Sequence, residues 1–134
     1  MKKLLVLILA AMALSLLPLK AEKPRLVLIA DPQSGGCAHP CVAATWTASP
    51  VDATHDAPTG YNLKRSNVSG GPYSIVGTTA TLAFNDTTVA AGGKYFYILT
   101  AFNSAGESAP TAEVSASVPL NVPGTPGNFG VGPK

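Results

Sequence analysis

At 134 residues the chain has room for one ordinary domain. Nine Lys and Arg against seven Asp and Glu exclude a nucleic-acid binder that rests on bulk charge, and 46% apolar residues exclude disorder by composition. The chain opens on an address. Basic Met1-Lys2-Lys3 precedes an uncharged, Leu- and Ala-rich run from Leu4 to Leu17, and Pro18 and Lys20-Ala21-Glu22 end it. This is the order of a secretory signal peptide over residues 1–21, with cleavage expected after Ala21. The run falls short of the ~20 residues that span a bilayer, so no stable membrane insertion is expected after cleavage. Cleavage removes Lys2, Lys3 and Lys20 and leaves six basic and seven acidic side chains, so the apparent basicity belongs to the leader. A secreted, extracellular or periplasmic location follows.

From Lys23 onward no window keeps a helical apolar period. Short runs rich in Val, Thr, Tyr, Phe and Ile stand between Gly, Pro, Asn and Asp. Seven strands are predicted: Arg25 to Ala30, Val42 to Thr47, Tyr61 to Arg65, Tyr73 to Gly77, Thr81 to Asn85, Lys94 to Asn103 and Thr111 to Val118. Ser69-Gly70-Gly71-Pro72 and Ala91-Gly92-Gly93 supply turns, the glycines by their access to positive φ. Seven alternating strands at this spacing make an all-β, two-sheet sandwich over residues 22–119. Residues 120–134 form a Pro- and Gly-rich tail.

Cys37-Ala38-His39-Pro40-Cys41 puts both mature cysteines in one turn of an exported chain, which predicts a disulfide. Closing so small a loop removes about 2 kcal/mol of unfolded-state entropy. A zinc or copper(I) site of Cys37, His39, Cys41 and His55 is the alternative, against which the spacing speaks; no metal or other cofactor is expected. The long loop Ala48 to Gly60 carries Asp52, His55 and Asp56, too few carboxylates for calcium. His55 with Asp56 and a nearby Ser lacks the nucleophile elbow and oxyanion loop of a hydrolase, so no enzyme is expected. Phe96, Ile98 and Phe102 lie on the parity opposite Tyr95, Tyr97 and Leu99, and make an outward row suited to partner contact. Asn67-Val68-Ser69 and Asn85-Asp86-Thr87 fit the N-glycosylation pattern and are given no weight here.

The segment from Val89 through Tyr95-Phe96-Tyr97-Ile98-Leu99-Thr100-Ala101-Phe102-Asn103 to Gly106-Glu107-Ser108 resembles a fibronectin type III domain of the bacterial secreted type. Trp46 stands where that family has its strand-B tryptophan. Tyr61 to Arg65, followed by Gly70-Gly71-Pro72-Tyr73, resembles strands C and C′. The resemblance implies a seven-stranded immunoglobulin-like sandwich with a core that includes Trp46, Tyr61, Val89, Tyr95, Tyr97 and Leu99. It implies that Tyr95 ties its hydroxyl to backbone in the preceding loop. The family has no required disulfide, so the cysteine pair is an addition. The tail Leu120 to Val131 is similar to the linker and first strand of another such domain.

The family hosts many binding roles, so the fold alone selects none. The resemblance implies a non-catalytic, adhesion-like binding or spacer module that contacts protein or carbohydrate. Its end loops would carry the contact, with Asp52, His55, Asp56, Asn103 and Glu107 at one end. Bacterial members often stand beside carbohydrate-active domains. The first alternative is a self-assembling extracellular subunit using tail or strand exchange; the second is the metal or redox site at the Cys-x-His-x-Cys turn.

Overall fold

The structure, a computed structural model, describes residues 25–30, 37, 38, 40–127, 130 and 132. The expected signal segment and His39 lie outside the described residues. Eight strands form: β1 Leu26–Ile29, β2 Val42–Trp46, β3 Gly60–Ser66, β4 Ser74–Thr79, β5 Ala83–Asp86, β6 Lys94–Asn103, β7 Gly106–Glu107 and β8 Val114–Ser117. β1-β2-β5 make one antiparallel sheet. The other runs β4-β3-β6, and both β7 and β8 pair with the far side of β6. No described residues form a helix long and apolar enough to cross a membrane.

Seven strands were expected and eight are present among the described residues. The addition is β7, where Gly106 and Glu107 turn straight back onto Asn103 and Phe102. The last strand is shorter than Thr111 to Val118. Residues 108–113 stay against β6 without a regular ladder: Ser108 and Thr111 donate backbone N–H to the Ala101 and Leu99 carbonyls at 2.8 and 2.9 Å, and hydroxyls accept the return bonds. Ala101 N–H donates to Ser108 Oγ at 3.0 Å and Leu99 N–H to Thr111 Oγ1 at 3.1 Å.

Alternation decides what is buried. Val42, Ala44 and Trp46 of β2 meet Tyr61 and Leu63 of β3 and Tyr97, Leu99 and Ala101 of β6 across the sandwich. Val89, Ala116 and Val118 complete this core, and Tyr95 packs against it half-buried. The Trp46 ring lies 5.5 Å from that of Tyr61, tilted by 58°. At one edge the sheets close on a glycine: a Cβ at Gly77 would stand 2.2 Å from Phe84 Cζ. Only hydrogen fits between β4 and the ring that β5 sends across.

The strands give the sandwich two poles. Arg25, the end of β2, the start of β3 and the end of β6 share one, where Arg25 N–H donates to Thr47 Oγ1 at 3.0 Å. The starts of β2 and β6 and the ends of β3, β5 and β8 share the other. The Cys37–Cys41 disulfide closes at this second pole, with Cα atoms 6.1 Å apart. The chain thus enters β1 at one pole and leaves β8 at the other.

Candidate functional site

At the entry pole a groove of about 1300 Å³ opens between the start of β1, the β2–β3 loop and the segment 108–113. His55, Asp56, Asn103 and Glu107 line it, joined by Phe102. The structure therefore brings four of the five expected loop residues to one place. Asp52 sits behind them, on the same loop as His55. The end of β4 at Thr78 and Thr79 lies at the same pole but does not line the groove. Thr78 Oγ1 donates instead to Asn62 Oδ1 at 2.7 Å on the outer face of the larger sheet.

The β2–β3 loop has its own internal order. Asp52 and His55 exchange backbone bonds of 3.1 and 3.3 Å. Asp52 Oδ1 accepts the Thr54 N–H at 2.8 Å and the Thr54 hydroxyl at 2.8 Å, and lies 2.9 Å from His55 Nδ1. The Thr54 N–H first, then its hydroxyl and His55, hold the Asp52 carboxyl well below the usual carboxylate range. The partner of His55 is thus Asp52, not Asp56. Thr54 Oγ1 also stands 2.9 Å from His55 Nδ1, so a hydroxyl, an imidazole and a carboxylate meet. They do so on one ring nitrogen. A nucleophile triad needs the acid on Nδ1 and the hydroxyl on Nε2, so this trio orients a loop and relays no proton.

Glu107 faces the groove from β7 and is also tied to the outer sheet face. It accepts from Asn62 Nδ2 at 2.8 Å and from the Thr100 hydroxyl, and pairs with Lys64 Nζ at 2.9 Å. These contacts, Asn62 first, lower its carboxyl to about 2. Phe96, Ile98 and Phe102 lie on this same outer face, opposite in parity to Tyr97 and Leu99. All three are half-buried. Lys94 Nζ stands 5.4 Å over the Phe96 ring, and Phe102 folds over Gly60. Neighbouring side chains cover part of the expected partner row.

The opposite pole holds a cluster that sequence reasoning missed. Asp86, 1% exposed, points inward from the end of β5. Its carboxylate accepts from Arg65 Nη1 at 2.7 Å, the Tyr97 hydroxyl at 2.9 Å, and Thr88 through both N–H at 2.9 Å and hydroxyl at 2.7 Å. Burial pushes the Asp86 carboxyl up, and the bonds from Thr88, Tyr97 and Arg65 outweigh it, leaving the group below its ordinary value. Burial first, then the neighbouring carboxylate, holds the Tyr97 hydroxyl far above the ordinary phenol range. The Arg65 guanidinium also lies 5.0 Å over the Tyr95 ring. Tyr95 in turn accepts the Ala90 N–H at 2.8 Å, so its hydroxyl binds backbone in the preceding loop.

Metal binding loses its ligands here. Cys37 and Cys41 are joined, and a disulfide has no thiolate to offer. His55 lies at the other pole. Among the described residues no three His, Cys, Asp or Glu side chains gather to hold an ion.

No family model matches the chain. Over 75 residues it is 35% identical to the amylopullulanase of Thermoanaerobacterium saccharolyticum, across 55% of this chain and 6% of that enzyme. The amylopullulanase of Thermoanaerobacterium thermosulfurigenes matches at 34% over 75 residues, and 4% of its length. The chain therefore spans only a small part of these relatives. Among solved structures, the sixth fibronectin type III domain of human fibronectin type III domain containing protein 3 shares the fold. It is 18% identical over 79% of this chain and 91% of that one, with a TM-score of 0.54. An Fn3-like protein from Clostridium thermocellum is 32% identical, covers 76% of this chain and 97% of its own, and has a TM-score of 0.58. With its two-sheet topology and that match over nearly the whole of the bacterial domain, the chain belongs to the fibronectin type III family.

Proposed function

We propose that the protein is an exported, non-catalytic module that spaces its neighbours and contacts a carbohydrate chain through the entry-pole groove. The groove carries this reading. Its volume of about 1300 Å³ exceeds the ~300–1,000 Å³ usual for small-molecule sites, which suits a segment of polymer. Its neutral polar side chains include Asn103 and Ser49, groups of the kind that exchange hydrogen bonds with sugar hydroxyls. Phe102 and the His55 ring offer flat faces for the apolar side of a sugar ring. The amylopullulanase relatives give a polysaccharide context. Support for a non-catalytic role comes from the single-nitrogen geometry of Thr54, His55 and Asp52. The uncharged run from Leu4 to Leu17 behind Lys2 and Lys3 supports export.

Calorimetric titration with pullulan tests the reading, with the Asn103→Ala and Asp56→Ala variants alongside. Heat that saturates in the native protein and vanishes in the variants is expected. No heat with pullulan, soluble starch or cellulose would overturn carbohydrate contact and turn attention to protein ligands for the same groove.

A further inference from the structure

Beyond β8 the chain carries a second exposed feature, at the pole away from the groove. Residues 119–127 form no strand and no helix. They hold Leu120 and Val122, 74% and 87% exposed, the Leu120 side chain resting against Gly92, and carry no charge. Pro119, Pro123 and Pro126 restrict the segment to extended conformations, so little freedom remains to be lost on docking. In an extended chain Leu120 and Val122 point to one side.

The groove offers a matching seat. Leu26, Pro50, Pro58, Pro110 and Val114 give it apolar walls. On one flank β1 pairs only with β2 among the described strands, leaving its other edge toward β8. On the other flank residues 108–113 bond to β6 by one side only, through Ser108 and Thr111. An extended segment entering between two such edges gains main-chain hydrogen bonds as well as apolar contact.

A molecule cannot fill its own groove this way. Val118 is fixed at the exit pole by Gly92 N–H to its carbonyl at 2.8 Å and by its own N–H to Gly93 O at 2.8 Å. Val122, four residues on, reaches at most about 14 Å. β6, ten residues from exit pole to groove, spans about 33 Å. Leu120 to Val122 reach no further than the near lip at Val114, while the loop wall from Ser49 to Pro58 lies beyond them. We propose that the Leu120–Val122 segment of one copy docks in the entry-pole groove of the next, giving head-to-tail association. The patches differ and lie at opposite poles, so the contact is heterologous and does not close on a dimer. The occupant is uncharged and suits the apolar part of the lining, which Arg25, Asp56 and Glu107 share.

The test uses two variants with substitutions at exposed positions, which leave the fold alone. Leu120→Asp with Val122→Asp spoils the tail; Ala112→Arg fills the groove. Sedimentation velocity is run on the full chain, produced with export. The native protein is expected to show a weight-average mass that rises with concentration past that of a dimer. Each variant alone should remain monomeric. A mixture of the two should stop at a one-to-one pair, because one intact groove and one intact tail remain. A native protein that stays monomeric at the highest concentration overturns the proposal, as do variants that associate like the native chain. Pullulan titration of the monomeric tail variant keeps the carbohydrate reading separately testable.

Discussion

The two poles of this sandwich solve opposite problems. At the exit pole, every polar group that enters the interior is engaged. Asp86 accepts four hydrogen bonds, Tyr95 ties the turn before β6, and a disulfide closes the β1–β2 connection. At the entry pole the loop side chains stay in water and bond mainly within their own loop or across the outer sheet face, while Trp46 Nε1 is buried without a partner among the described residues. Substitutions at the first pole remove partners from groups that have no water to replace them. Substitutions at the second remove little that solvent does not restore. The same fold therefore carries a stiff end and a permissive one, and only the permissive end is free to vary toward a ligand.

The largest break in this contrast should come from Asp86→Ala. It leaves the Arg65 charge and the Tyr97 hydroxyl facing an apolar interior, and about 3 kcal/mol of stability should be lost in urea unfolding. The difference should depend on pH. Asp86 has a lowered carboxyl when folded, so its contribution is complete above the unfolded value near pH 4 and disappears as pH falls through the folded value. The gap between native and variant should therefore narrow in acid; a gap unchanged down to pH 2 would show that packing, not the ion pair, carries the effect. Replacing Cys37 and Cys41 together by Ser should cost about 2 kcal/mol, read as a lower midpoint at unchanged groove binding. Tyr97→Phe removes one of four donors from Asp86 and keeps the ring, so a loss of about 1.5 kcal/mol is expected by the same measurement. His55→Ala should change stability by less than about 0.5 kcal/mol, since the ring is exposed and its bonds lie within one loop. A larger loss would mean that the β2–β3 loop belongs to the stiff end.

The sheets were legible from alternation alone, because inward positions in β2, β3 and β6 carry large apolar groups at every second residue. The cysteine pair was legible from its compartment and spacing. β7 was not, since two residues of Gly and Glu have no period to read. Asp86 was within reach. Arg65 follows Tyr61 and Leu63 on the inward parity, and Asp86 follows Phe84 on its own strand. Two opposite charges on inward positions point to each other, but only the topology shows that β3 and β5 face across the core. In the β2–β3 loop, chemistry identified His55 and a carboxylate. It paired His55 with the adjacent Asp56, whereas a bond back to Asp52 closes the turn. The outward row of Phe96, Ile98 and Phe102 was placed on the right face; parity also puts Lys94 beside Phe96, but the seat of Phe102 on Gly60 depends on the cross-strand register, which parity does not name.

The separation of entry and exit has a mechanical consequence. A chain that comes in beside Thr47 and goes out beside Gly92 crosses the full length of β6 within each unit. Whatever precedes and whatever follows are held apart by a stride of about 33 Å, the rise of ten strand residues. Neither neighbour fixes that distance. It is written into the hydrogen-bond ladder, so stretching it means unzipping strands rather than straightening a hinge.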